Sequence, residues 1–277
     1  MKTGFLLAVL LTAPRLDAQI GSDTSDLLNR ARAATQQFTD RKAAIAAGYR
    51  RAGRDLPSMG EHWINPRILM DGGFDPAKPA VLTYLPVDGR AVLTGVVYAV
   101  SLAPGESPPL PFGPDAKWHE HNGAIDDEAL LPEHETTASA ATGTRVAFLH
   151  AWLRIPAPYG LFSAENWAIP FIRAGVSVPH AFPNGAARAV SLAGGGKEFF
   201  LDLIGSAAAP RISAVLDDCS SVAAKIVAAA RSSKRELTQD ELSQLDLEWT
   251  ATLRRISELA GDDAAARING GAAGHHH

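Results

Sequence analysis

The sequence predicts an α+β protein: an antiparallel β core, sandwich or barrel-like, with an N-terminal helix and C-terminal helices packed around it. Three observations lead there. A helical apolar stripe runs from about Ser25 to Tyr49. A Pro- and Gly-rich middle zone, from about Leu56 to Phe182, carries alternating β-branched runs. A second set of helical stripes fills the C-terminal third. Mixed element types segregated along the chain are the mark of this fold class.

The N-terminal stripe is Leu27, Leu28, Ala31, Ala34, Phe38 and Ile45, near helical spacing. Ser22, Thr24 and Ser25 precede it as N-caps and Gly48 ends it. In the middle zone, "AVLTYLPVDGRAVLTGVVYAVSL" places two strand-like runs around Asp88-Gly89. Both positions of that two-residue turn need positive φ, which makes the pair a strong hairpin signal. "RVAFLHAWLRI" predicts another strand. Alternation sets Phe148, His150 and Trp152 on one face, and Ala147, Leu149, Ala151 and Leu153 on the other. Farther on, Ile212, Val215, Leu216, Cys219, Val222, Ile226 and Val227 form a helical stripe. A last helix begins at a capping box, Thr238 with Glu241, and a staple, Leu237 with Leu242. Gly261 follows it as a natural stop. "LAGGGKEFF" lacks Walker spacing and reads as a loop entering a helix.

The expected organisation is a signal peptide over residues 1–18, an N-terminal helix over 19–50, a β-rich metal-binding core over 51–190, a helical segment over 191–265 and a disordered tail or tag over 266–277. The leader expectation rests on Lys2, the apolar run Gly4 to Thr12 and "LDA" before Gln19. That run is shorter than the roughly 20 apolar residues that cross a bilayer. The expected location is therefore periplasmic or secreted, with no membrane span. A net charge of −4 on 277 residues lacks the basic stripe of a nucleic-acid binder. Cys219 is the single cysteine, so no intrachain disulfide forms, and its apolar position marks a core residue. There is no G-x-S-x-G elbow and no H-E-x-x-H, so neither an α/β-hydrolase nor a zincin is indicated.

Chemistry concentrates in the histidines. Setting aside the tag-like His275 to His277, six remain: His62, His119, His121, His134, His150 and His180. All lie in the β zone. "WHEHNGAIDDE" puts His119 and His121 at i, i+2, where a strand projects both rings from one face. Asp126 follows, with Asp127 and Glu128. His150 belongs to a second strand, and His62 follows a turn at "PSMG". The expected ligand set is His62, His119, His121, His150 and Asp126, around one transition metal ion (Cu, Zn or Fe), since imidazole suits all three. An open coordination position lets such a metal activate water or polarise a carbonyl. Glu61 and Glu120 are the expected bases, with Glu165 as a further candidate. His134, between Glu133 and Glu135, reads as a solvated loop, and His180 as structural.

The H-x-H pair, Asp126 and His150 together bear a partial resemblance to a cupin metal site. Asp126 stands one position beyond the usual gap, and the glycine and proline framing is missing. A resemblance covering about Gly48 to Phe171 rests on "GYRRAGRDLPSMGEHWINPRIL", "PAVLTYLPVDGRAVLTGVVYAV" and "FLHAWLRIPAPYGLFSAENWAIPF". These are similar to a group of exported bacterial proteins with M-G-x-H-[YW] and L-H-x-W segments. The resemblance implies no activity. It implies that the segments bearing His62 and His150 belong to one architecture. The chain departs from that group at Val97, where Glu is common, and at Ala157-Pro158, where N-P is usual.

The leading expectation is thus an exported metal-dependent enzyme, hydrolytic or oxidative, acting on a small molecule. The rival is a non-catalytic periplasmic protein holding a metal or small ligand in a pocket lined by Trp63, Trp118 and Trp152. A third reading is a structural or interaction module in which the histidines share no site.

Overall fold

The computed structural model describes residues 22–113, 116–120, 145–204 and 208–270. They form an α+β fold around one six-stranded antiparallel sheet, ordered β1-β2-β3-β4-β6-β5. The strands are β1 (Arg50–Leu56), β2 (Gly60–Ile64), β3 (Val81–Val87), β4 (Arg90–Leu102), β5 (His119–Glu120) and β6 (Arg145–Ala151). Strands β3 and β4 form the predicted hairpin, with Asp88 at φ 48° and Gly89 at φ 74°. These values match a turn whose twist suits the flanking strands.

The predicted N-terminal helix is broken into three pieces: α1 (Ser22–Ala34), a 3₁₀ turn (Gln36–Thr39) and α2 (Arg41–Ala46). Two residues cause the breaks. The buried Thr35 hydroxyl donates to Ala31 O at 2.7 Å, the local back-bonding by which Thr competes with a helix. Asp40 is extended (ψ 109°) and its side chain caps α2 by accepting from Lys42 N at 3.0 Å. Residues after Gly48 then enter β1, a strand the apolar pattern did not predict. Its sequence, RRAGRDL, has no run of β formers, and it lies at an edge of the described sheet, where one-sided burial makes fewer demands on composition.

Alternation divides the sheet into two faces. One carries Trp63, Leu82, Tyr84, Val96, Tyr98, Leu149 and Ala151. It is covered by Leu28 and Ala31 of α1, and by Phe38. The Tyr84 hydroxyl donates to Phe38 O at 2.6 Å, and the Tyr49 hydroxyl to Pro79 O at 2.8 Å. The opposite face carries Ile64, Val81, Val97, Ala99 and Phe148.

The remaining helices are α3 (Pro66–Asp71), α4 (Ile169–Arg173), α5 (Asn184–Ala193), α6 (Lys197–Asp202), α7 (Ala209–Ser232), α8 (Gln239–Ala260) and α9 (Asp262–Gly270). Strands end at Ala151, so the chain from Trp152 to Phe182, expected to be β, is loop and α4. The capping box forms as predicted: Glu241 N donates to Thr238 Oγ1, and Thr238 N to Glu241 Oε2. Phe200, Ile212, Leu216, Cys219, Trp249 and Ile256 build the helical core. The same cluster continues into Leu56, Met59, Leu85 and Trp152 at one end of the sheet. No helix among the described residues is long and apolar enough to cross a membrane.

Candidate functional site

Three of the predicted histidines meet on the face opposite α1. His62 lies in β2, paired with Ala52 and Thr83. His150 lies in β6, paired with Val97. His119 lies in β5, paired with Phe148. Cross-strand partners share a face, and successive residues alternate. The register therefore sets His62, Thr83 and Gly95 in one row, Ile64, Val81, Val97 and His150 in the next, and Ala99, Phe148 and His119 in a third. His62 and His150 are 4% and 2% exposed, and His119 is half-buried.

The ring separations reveal the shape of this face. His62 and His150 stand on strands with β3 and β4 between them. Three strand spacings make about 14 Å on a flat sheet. Yet the ring centroids are 5.7 Å apart. The face must be concave for two short side chains to close that gap. His119 approaches from the far edge, its centroid 5.3 Å from that of His150. A metal–nitrogen bond of about 2.0–2.1 Å puts the metal roughly 3.2 Å from a ligating imidazole's centroid. Two such rings at a tetrahedral angle then lie about 5.2 Å apart. Both observed separations are close to that value. The interplanar angles are 73° for His62 with His150 and 35° for His119 with His150. Among the described residues, no group of three or more His, Cys, Asp or Glu side chains is arranged to hold a metal ion as it stands. The imidazole pairs have the spacing, while simultaneous ligation by three needs their side chains to turn.

The walls are aromatic and apolar. His150 lies against Trp152, centroids 5.6 Å apart, and His119 against Phe148 at 6.5 Å. Trp152 is itself fixed, its indole N–H donating to Ser163 O at 2.7 Å. Thr83 and Thr94, both fully buried, are the small polar groups on this part of the sheet. The Thr94 hydroxyl lies 2.9 Å from Thr83 Oγ1 and 3.0 Å from Thr83 O.

The carboxylates expected as bases are elsewhere. Glu61 neighbours His62 in β2 and so projects from the other face. There it accepts from Trp63 Nε1 at 3.0 Å and pairs with Arg51 at 3.1 Å and Arg41 at 3.4 Å. Glu120 alternates away from His119 in the same manner. It is exposed and paired with Arg145 at 2.6 Å. The three-tryptophan pocket is not formed. Trp63 packs on the α1 side, Trp118 lies against Phe74, and only Trp152 lines the histidine face. His121, Asp126, Asp127, Glu128 and His134 lie outside the described residues. His180 is exposed.

A buried polar cluster that the sequence reading did not assemble borders the same end of the sheet. Glu165 accepts from Ser58 Oγ at 2.9 Å and from Trp167 Nε1 at 3.1 Å. Arg188 of α5, 5% exposed, stacks over Trp167 at 4.3 Å. Burial lowers the Arg188 pKa, and Glu165 and Tyr159 oppose that shift. Asn166 N donates to Ser58 O at 2.8 Å, which fastens this segment to the turn leading into β2. The sequence signal was the polar pair Glu165-Asn166 just ahead of the apolar run Trp167 to Phe171.

No family model, curated protein or solved structure matches the chain.

Proposed function

We propose that this protein binds one transition metal ion at His62, His119 and His150 on the concave face of its sheet. The observation that carries the reading is the meeting of these rings at 5.7 and 5.3 Å, although their residues are far apart in sequence. Nitrogen donors in an apolar, aromatic-walled recess suit zinc, copper or iron. His121 and Asp126 are the proposed additional ligands from the segment that follows His119. The leader-like first eighteen residues support placing this activity outside the cytoplasm.

Two uses of the metal follow. With a coordination position left to water or substrate, it supports hydrolytic or oxidative chemistry on a small molecule. With all positions filled by protein, it is held without turnover. The positions of Glu61 and Glu120, both ion-paired away from the rings, favour the second use, because neither can take a proton from a metal-bound water there. Among the described residues, Glu165 is a further candidate base, held by Ser58 and Trp167.

Elemental analysis of protein freed of its terminal histidines tests the reading. About one metal per chain is expected, lost in His62→Ala and in His150→Ala. Full occupancy in either variant would remove that residue from the site. Wild-type protein that takes up neither Zn, Cu nor Fe would end the metal reading altogether.

A further inference from the structure

We propose that Thr94 is a positioning residue: an extra residue in β4, clipped to β3 by its hydroxyl, that sets the curvature bringing His62 and His150 together. The inference deepens the imidazole site and rests on that reading for its functional consequence.

The register locates the extra residue. Thr83 pairs with Gly95 and Tyr84 with Leu93, so Thr94 has no partner of its own in β3. One added residue in an antiparallel strand bends it and increases its local twist. Thr94 stands next to Gly95, which is in the same row as His62, and three residues from Val97, the partner of His150. The bend therefore falls between the two strands that carry the rings. That bend contributes to closing the flat-sheet separation of strands three spacings apart.

Both neighbouring strands hold Thr94 in place. Its hydroxyl meets Thr83 Oγ1 at 2.9 Å and Thr83 O at 3.0 Å. Its carbonyl accepts from Arg154 N at 3.0 Å, just beyond β6. Thr83 is the cross-strand partner of His62. The clip thus runs from the bend to the residue beside the ring. Gly95 completes the arrangement: an added Cβ would sit 2.4 Å from Ala151 O, so β4 and β6 approach here as only glycine permits.

The test uses the full-length protein without metal. Nuclear Overhauser contacts between the His62 and His150 imidazoles are measured in wild type, Thr94→Val and Thr94→Ser. Valine keeps the shape and removes the hydroxyl, whereas serine restores it. Loss of the ring–ring contact in Thr94→Val and its return in Thr94→Ser are expected. Zn²⁺ affinity, read by titration, should fall by about tenfold or more in the valine variant, the range seen when groups that orient ligands are removed. An undiminished contact in Thr94→Val overturns the proposal. If that variant folds too poorly to assign, Thr94→Ala removes the same hydroxyl, and with it both contacts to Thr83, and carries the same two outcomes. Wild type that shows the contact but takes up no metal sinks the metal reading alone, and the valine–serine comparison still decides the role of Thr94.

Discussion

Replacing Gly95 with alanine isolates the close approach of β4 and β6. Gly95 has no positive φ, so the substitution adds a methyl group without asking the backbone for a left-handed conformation. The added Cβ would meet Ala151 O at 2.4 Å, and Ala151 C and Trp152 Cα at 3.2 Å. All three are main-chain atoms, so no side chain can swing aside. Restoring contact requires the strands to part by about 1 Å, which stretches the bonds near Val96 and Ala151. Overpacking costs about 1–3 kcal/mol, and backbone obstacles place this case toward the upper end. Alanine offsets about 0.5–1 kcal/mol of that because glycine loses more freedom on folding. The net expectation is a loss of about 2 kcal/mol. In a chain of this size that corresponds to a drop in Tm of roughly 4–8 °C. Urea unfolding followed by circular dichroism should show a lower midpoint with an unchanged slope. Because Trp152 abuts both Gly95 and His150, its fluorescence should shift as well. Equal or greater stability in Gly95→Ala would refute the close-packing argument.

Two further perturbations address the helical half. The Arg235 fork at 2.6 and 2.7 Å holds the Glu241 carboxyl down to about 2, with burial opposing the shift. A lowered folded pKa gives stability that is complete above the unfolded value of about 4.3 and is lost as pH falls toward 2. Wild type should lose stability across that window, and a Glu241→Gln stability curve should be flatter there; parallel curves would show that the pair is not coupled to folding. Burial pushes the Cys219 thiol up to about 11. Native protein at pH 8 should therefore resist alkylation until unfolded, and rapid labelling of the native state would contradict its place in the core.

Local signals read well because they depend on neighbours in sequence. The Asp88-Gly89 turn, the Thr238–Glu241 capping box and the alternation of Phe148 with His150 are each decided within a few residues. The breaks at Thr35 and Asp40 were less visible, since helical spacing continues through both. Strand β1 escaped because an edge strand with an arginine-rich sequence carries no apolar alternation. The approach of His62 to His150 depends on curvature accumulated across four strands, which no single segment encodes. The separation of Glu61 and Glu120 from the rings was legible. Each is adjacent to a histidine on a strand, and adjacent strand residues point to opposite faces.

Strand β1 also bears on how copies of this chain meet. Among the described residues its outer side is an edge of the sheet, and a sheet edge can offer N–H and C=O groups to an extended segment. Here that rim is studded with Arg50, Arg51 and Arg54, and the ladder slips between Ala52 and Leu56. Like charges brought into register would repel, and the irregularity spoils a straight docking line. The arginines that hold Glu61 or contact the helical half thus also make this edge a poor template for another strand.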